Sequence, residues 1–409
     1  MAVRLLSHEL SDLCLGKPAL RSLSVTSTIA DAIEVLKTSD ENFVSVWSCN
    51  HKKAKTGSGF ESAAGFGDDF DDVDDCKCVG KVCMVDVICY LCKDENLVSP
   101  SLALKKPVSV LLPKIPGLVI HVEPSCSLLE AIDLILEGAQ NLVIPIKTKL
   151  SSKRKQHLKP SPTVTIHKGR EFCWLTQEDV IRFLLSSIGL FSPIPACSID
   201  ALGIISPEIL TIEYHSPASA ATGAISRALV DQTSVAVVDS EGTLIGEISP
   251  FTLACCDETV AAALKTLSSG DLMAYIDCGG PPEDLVRVVS ARLKERNLNG
   301  MLDHFTMSMT CGGFSSASSS SDEESMTTPV SPLPRSGRIS KTTSYSARMV
   351  RRSEAIVCHP KSSLIAVMIQ AIAHRVNYVW VIEDDCSLVG IVTFSDMLKV
   401  FREHLESMA

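Results

Sequence analysis

The residues best suited to chemistry sit where an apolar run gives way to a helical pattern. Thr393 and Asp396 stand three apart in Thr393-Phe394-Ser395-Asp396, Thr176 and Asp179 repeat that spacing, and Asp86 follows Cys83 in the same way. In a fourth stretch Ser249 takes the hydroxyl position and Thr252 stands where the acid is elsewhere. A hydroxyl with a carboxylate three residues later can close the first N–H groups of a helix. The same turn can instead collect an anion or a hydroxylated ligand, because it carries unpaired N–H groups and the positive end of the helix dipole. Both uses stay open on sequence alone. Cys89-x-x-Cys92, with Cys76 and Cys78 upstream, could form a metal or thiol site, whereas cysteines in apolar segments also pack as small hydrophobes. The packing reading is preferred, so no metal site is assigned. No Ser/His/Asp, Cys/His or paired-carboxylate arrangement can be located, and the chemistry expected is therefore binding rather than catalysis, with no cofactor.

The elements that must hold these residues are clearest between Glu354 and His404. A β-like run, Ala355 to Cys358, closes at Pro360, and Ser362 and Ser363 offer an N-cap. Leu364, Val367, Met368 and Ala371 then share one helical face. Tyr378 to Ile382 is a second apolar run, Asp384-Asp385-Cys386 a turn, and Leu388 to Val392 a third run. A last helix is expected over Met397 to Leu405. The order strand, helix, strand, strand, helix recurs three more times. The first copy has Val25 to Ile33, the strand Phe43 to Trp47 and Val79-Gly80-Lys81-Val82-Cys83-Met84-Val85-Asp86. The second has Pro124 to Ala131, the strand Leu142 to Ile146 and Trp174 to Asp179; the third has Ser216 to Ser219, the strand Val235 to Asp239 and Leu244 to Ser249. A recurring supersecondary unit is the mark of a repeat architecture.

Gly390-Ile391-Val392-Thr393-Phe394-Ser395-Asp396, after the strand V-W-V-I-E-D and with P-K-S-S-L upstream, resembles the cystathionine-β-synthase (CBS) domain. Over most of its length, inserts and linker excepted, the chain resembles plant CBS-only proteins of the CBSX class, and among them the four-repeat members related to the SNF4-like γ subunits of energy-sensing kinases. The resemblance implies an α/β (α+β) fold of four CBS repeats in two tandem (Bateman) pairs. The expected divisions are repeat 1 at 1–92 with an insertion at 51–77, repeat 2 at 107–188 with an insertion at 147–170, and a linker at 189–209. Repeat 3 follows at 210–256, a helical extension at 257–311, a Ser-rich linker at 312–352 and repeat 4 at 353–409. It also implies clefts for an adenine nucleotide (AMP, ADP or ATP) or S-adenosylmethionine. In the family the acid of Thr-x-x-Asp accepts from the ribose hydroxyls, while the nearby hydroxyl and helix N-terminus face the phosphate. Carried over, this nominates Asp86, Asp179 and Asp396 with Thr176, Ser249 and Thr393. The kinase γ subunits place a basic pair before the second strand; here Asn42, Asn141, Thr233 and Asn377 hold those positions. His374-Arg375, one turn upstream, could replace it at a phosphate or simply be a solvated helix end.

Composition narrows the function classes. With a net charge of −10 the chain lacks the basic face of a general nucleic-acid binder. Sixteen cysteines without framework spacing, and no secretory pattern at the N-terminus, point to free thiols in a cytoplasmic setting. The longest uncharged run, Phe183 to Ile199, contains Pro193 and Pro195 and reads as a helix end and linker, so no membrane span is expected. The insertion at His51 to Lys77 is acidic and glycine-rich; that at Lys147 to Arg170 is basic, a solvated loop or a patch suited to nuclear import. The two could pair by charge. Asp257 to Leu267 and the stretch from Pro282 to Arg296 read as helices, the second with Leu285, Val288, Val289 and Leu293 on one face for its own core or for a partner. Gly312 to Arg352 is low-complexity, with Ser331 and Ser340 in phosphorylation contexts. Together with the resemblance, which implies a kinase subunit or a thioredoxin-like protein as partner, the chain reads as a non-catalytic regulator of a protein partner, and a homo-oligomer is compatible. The alternative is a ligand-free interaction scaffold controlled through the Ser-rich linker.

Overall fold

The computed structural model describes residues 8–39, 41–49, 76–146, 166–167, 169–277, 281–311 and 353–408. Ser331, Ser340 and nearly all of the two insertions lie outside them, as does any pairing of the insertions by charge.

After a short helix α1 (Leu10–Leu13), unit 1 comprises β1 (Ser22–Ser24), α2 (Ile29–Thr38), β2 (Phe43–Ser48), β3 (Lys77–Cys83) and α3 (Met84–Leu91). The chain then passes through α4 (Asp94–Leu97) and α5 (Pro100–Ala103). Unit 2 has β4 (Val119–His121), α6 (Leu128–Leu136), β5 (Asn141–Ile146), β6 (Ile166–His167), β7 (Arg170–Thr176) and α7 (Gln177–Ser186). Unit 3 has β8 (Leu210–Glu213), α8 (Thr222–Asp231), β9 (Val235–Val238), β10 (Leu244–Ile248) and the short α9 (Pro250–Leu253). Four helices follow: α10 (Val260–Thr266), α11 (Ser269–Ile276), α12 (Glu283–Glu295) and α13 (Asn299–Cys311). Unit 4 closes the chain with β11 (Val357–Cys358), α14 (Leu364–His374), β12 (Tyr378–Ile382), β13 (Leu388–Thr393) and α15 (Phe394–Met408).

Within every unit the first two strands pair parallel across the intervening helix, and the second then pairs antiparallel with the strand that leads into the last helix; in unit 2 that strand is β7, and the short β6 pairs antiparallel on its outer edge. Local chemistry starts the helices. Thr28 accepts from the Asp31 N–H at 3.2 Å while Asp31 accepts from the Thr28 N–H at 2.8 Å, a reciprocal cap ahead of the apolar face Ile29, Ala32, Ile33 and Leu36. The glycine of the third strand is needed because another segment crosses there. A Cβ on Gly390 would lie 2.5 Å from the Ser206 carbonyl oxygen, where Ser206 and Ile391 exchange backbone hydrogen bonds of 2.9 Å. At Gly246 the obstacle is the Ser353 carbonyl, 2.6 Å from such a Cβ.

Packing joins the units crosswise. One core combines units 1 and 3, through residues such as Ile88, Val85, Ile225 and Ala261, and takes in Val289, Leu293, Met301 and Phe305 of α12 and α13. The apolar face of α12 therefore serves the chain's own core. A second core combines units 2 and 4 around Ile132, Leu184, Val367 and Phe401. A third, smaller cluster of Trp47, Cys78, Val143, Phe172 and Trp174 lies where the sheets of units 1 and 2 face each other. Complete burial of side chains of this size contributes roughly 1.5–3 kcal/mol each.

Some elements differ from the sequence reading. The first strand of unit 4 shrinks to Val357–Cys358, which stand in register with Trp380 and Val381 on β12, while Ile356 before them contributes its carbonyl to the Trp380 N–H at 2.9 Å. The last helix begins at Phe394 and runs to Met408, since Asp396 caps the turn before Met397. The uncharged run after Phe183 ends its helix at Ser186 and continues as two 3-10 turns, Ile188–Phe191 and Ile194–Ala196. Among the described residues no helix is long and apolar enough to cross a membrane.

Candidate functional site

All four units contribute to one cleft of about 740 Å³. Unit 1 supplies Asn42, Lys81 and Asp86, unit 2 Asn141 and Thr176, unit 3 Phe251, and unit 4 Asn377. Asn42 and Asn377, each just before a second strand, and Asn141, the first residue of β5, thus meet in one place. The volume lies in the range of small-molecule sites.

Two acids line this space, Asp86 and Glu178, and Glu178 is engaged by the Arg182 guanidinium at 2.6 Å. The Cys83 N–H donates to Asp86 Oδ2 at 2.8 Å, anchoring that acid in the first turn of α3, and its other oxygen makes no hydrogen bond among the described residues. Burial pushes its carboxyl up to about 6, opposed by the Cys83 hydrogen bonds and the Lys81 charge. The same burial lowers the Lys81 ammonium, whose Nζ lies 5.6 Å from the centre of the Phe43 ring. An acid and a base sharing a desolvated cleft offer an acceptor for hydroxyls and a cation for an anion in one site. Asn141, almost completely buried, adds an Oδ1 that has no hydrogen-bond partner among the described residues. Tyr90, Phe43 and Phe251 supply aromatic faces, and Lys77 and Lys93 two further cations.

The other nominated residues have different surroundings. Thr176 lines the cleft but Asp179 does not. Oδ2 of Asp179 accepts from the Thr176 N–H and Oγ1, both at 2.8 Å, and its Oδ1 is held by the Lys17 ammonium at 2.7 Å. Both oxygens are therefore used within the chain. Thr393 and Asp396 form the same cap, with Asp396 Oδ2 at 2.9 Å from the Thr393 N and 2.7 Å from its Oγ1, and neither lines the cleft. Ser249 is buried: its Oγ accepts from the Phe251 N–H at 3.2 Å and lies 3.1 Å from the Tyr378 hydroxyl. His374 and Arg375 are exposed at the end of α14, outside the cleft.

Sequence reasoning looked for cations ahead of the second strand and so passed over Lys77, Lys81 and Lys93, which approach from β3 and from just beyond α3. The available signal was Lys81 itself, a charge inside the apolar run Val79 to Val85. The four cysteines considered together in the sequence do not gather. The Cys92 thiol donates to the Ala261 carbonyl at 3.4 Å, Cys78 donates to the Gly80 carbonyl at 3.4 Å, and Cys89 lines the cleft. Cys76 instead lies beside Cys49 and His167, because β2 and β3 end together while the helix carries Cys89 and Cys92 elsewhere.

Comparison with known proteins agrees with this architecture. Residues 347–403 match the CBS domain family. The chain is 53% identical to the CBS domain-containing protein CBSX5 of Arabidopsis thaliana over 417 aligned residues, covering 100% of both chains. It is 20% identical to the SNF1-related protein kinase regulatory subunit gamma-like PV42b of the same plant, over 99% of this chain and 98% of that one. Among solved structures it resembles protein MJ1225 of Methanocaldococcus jannaschii, described as an archaeal homologue of the AMPK γ subunit. That similarity has a TM-score of 0.53 at 14% identity, over 96% of this chain and all of the other, and bears on the fold.

Proposed function

Because the chain belongs to the CBS domain-containing proteins, we propose that it is a non-catalytic regulator whose central cleft takes up an adenosine-containing ligand and thereby alters its grip on a protein kinase subunit. The observation that carries this reading is the Asp86–Lys81 pair inside the cleft at the meeting of four units. Asp86 accepts from the vicinal ribose hydroxyls, Lys81 and its neighbouring lysines face the phosphate, and the aromatic faces receive the base. A ligand that touches all four units binds best to one arrangement of them, and that preference is what a partner can read. The kinase partner is supported by the similarity to the gamma-like PV42b protein. We place the chain in the cytoplasm on its sixteen cysteines without framework spacing.

The test is thermal unfolding of the full chain against AMP, ADP, ATP and S-adenosylmethionine, beside Asp86→Ala and Lys81→Met. A ligand at a hundred times its dissociation constant stabilises by about 2.7 kcal/mol. Wild type should respond to one of these ligands and Asp86→Ala should not. Absence of a shift with every ligand at millimolar concentration would leave the second reading, an interaction scaffold, which the occupation of Asp179 by Lys17 favours at that position.

A further inference from the structure

Two cysteines from unit 1 and one histidine from unit 2 meet where the two sheets face each other. The ladder of β2 and β3 ends on the pair Ser48 and Lys77, and the next residues outward are Cys49 and Cys76. His167, on β6, enters from the opposing sheet. Its Nδ1 lies 3.4 Å from Cys49 Sγ, and the two sulfurs and a ring nitrogen all fall within 4.8 Å of one another. A tetrahedral Zn²⁺ bound by thiolate and imidazole has S···N edges of about 3.5 Å and an S···S edge of about 3.8 Å, by trigonometry from its bond lengths. The observed cluster is thus near metal-binding dimensions before any ion draws it together.

The imidazole is oriented for this role by two contacts outside the cluster. Its Nε2 lies 2.9 Å from Ser22 Oγ, and its ring stacks on the Trp47 indole at 3.7 Å between centroids and 3° between planes. With Nε2 engaged and the ring clamped, Nδ1 is directed at the sulfurs; a hydrogen bond on the remote nitrogen is how metal-bound histidines are commonly positioned. Cys76 and His167 are buried, whereas Cys49 is partly exposed and gives an ion a route in from solvent.

We propose that Cys49, Cys76 and His167 bind one Zn²⁺ that ties unit 1 to unit 2. Two sulfurs and an imidazole suit Zn²⁺ and not the oxygen-seeking Mg²⁺ or Ca²⁺. On binding, each thiol gives its proton to solvent and each sulfur forms a bond to the metal, while the neutral Nδ1 donates its lone pair. Two thiolates balance the charge of the ion, so the buried centre carries no net charge, and water takes the fourth position. Cys49 and Cys76 flank residues 50–75, and His167 follows 147–165. The ion therefore secures the roots of both insertions as well as the seam between the sheets.

The test uses the full chain, stripped with a chelator under reducing conditions and titrated with Co²⁺ alone, then with Zn²⁺ in competition. One Co²⁺ per chain should bind with thiolate charge-transfer absorption and the visible bands of tetrahedral cobalt, and Zn²⁺ should displace it. Cys49→Ser, Cys76→Ser and His167→Gln should each abolish those bands. Ser22→Ala, which keeps every ligand, should weaken binding roughly 10- to 100-fold. Cys358→Ser, buried in the core of units 2 and 4, should bind as wild type does. Circular dichroism of the stripped proteins shows which variants fold, and Ser22→Ala keeps the proposal open to refutation if a ligand variant does not. The proposal is overturned if stripped wild type gives no tetrahedral bands, if the bands survive in His167→Gln or Cys49→Ser, or if Ser22→Ala binds like wild type. None of these readouts depends on the adenosine ligand or on the kinase.

Discussion

Lys81 and Glu247 occupy corresponding places in two units, each following the third-strand glycine, and their side chains have opposite fates. Lys81 pairs across the ladder with Ser45 and Glu247 with Ala236, and each belongs to a sheet that faces a neighbouring sheet. Between units 1 and 2 that seam is filled by Trp47, Cys78, Val143, Phe172 and Trp174, and the Trp47 indole donates to Ser45 Oγ of its own strand at 2.8 Å. Lys81 is not needed inside and opens onto the cleft with Asp86. Between units 3 and 4 the seam is closed by Glu247 itself. The Tyr378 hydroxyl lies 2.8 Å from its Oε1, and the Trp380 indole donates to its Oε2 at 2.7 Å. With the tyrosine proton directed to the carboxyl, Ser249 donates to the tyrosine oxygen at 3.1 Å. Burial, then Glu247, drives the Tyr378 phenol well above its usual range, which keeps it a donor. One pair of units leaves its polar groups available to a ligand. The other uses them as structure, which also accounts for the burial of Ser249.

The largest effect should come from breaking the structural side of this comparison. Glu247→Ala leaves the Trp380 N–H buried without its acceptor, at about 1–3 kcal/mol, leaves the Tyr378 hydroxyl with Ser249 alone, and opens a cavity beside both. A total loss of about 3–5 kcal/mol in denaturant unfolding is expected, with Glu247→Gln milder because its amide oxygen still accepts from one donor. Lys81→Met should change stability by less than about 1 kcal/mol, because removal of a desolvated cation offsets the loss of its attraction to Asp86. Equal losses in the two variants would remove the distinction between the seams.

Next in size is the pH dependence contributed by Asp86. Its carboxyl titrates at about 6 in the folded chain and near 3.9 when unfolded, so the folded state holds the extra proton between these values. Stability from this group is therefore present below the unfolded value and lost as pH rises through about 6, by about 1–3 kcal/mol. Asp86→Asn keeps an acceptor for the Cys83 N–H and removes the titration. Its stability relative to wild type should rise between pH 4 and 7 by that amount, while ligand uptake is lost throughout. In wild type, ligand binding should weaken as pH falls below 6, because the acceptor for the ribose hydroxyls becomes protonated.

Much of this arrangement is legible in the sequence wherever the cause is local. The Thr393–Asp396 and Thr176–Asp179 caps, the face Leu364, Val367, Met368 and Ala371, and the recurring glycine all act within a few residues of their own positions. Their physical expression is accordingly readable one unit at a time. The cleft is not, since Asp86 and Asn377 meet only after four units pack crosswise. Nor is the Cys49 and His167 cluster, whose members are 118 residues apart and separated by an entire strand-and-helix succession. Spacing also fails to distinguish Asp86 from Asp179, because what separates them is which of the two the packing of the units brings to the cleft.

Lys17 supplies the smallest effect and the finest test. Lys17 and Asp179 form a contact of 2.7 Å, with 23% of each side chain exposed, so solvent and salt screen much of it. Lys17→Ala should cost no more than about 1 kcal/mol, and the difference from wild type should shrink as salt is added. It frees Asp179 Oδ1, giving that acid the same unpaired oxygen that Asp86 has. If an unpaired carboxyl oxygen were sufficient for a ligand, the variant would bind a second equivalent. The cleft borders Thr176 and not Asp179, however, and Asp179 has no counterpart of the Lys81 ammonium within that space. Titration calorimetry of Lys17→Ala should therefore return the wild-type stoichiometry. A second equivalent would show that Lys17 blocks a working site, and the contrast between Asp86 and Asp179 would then lie in that one ion pair instead of in the packing of the units.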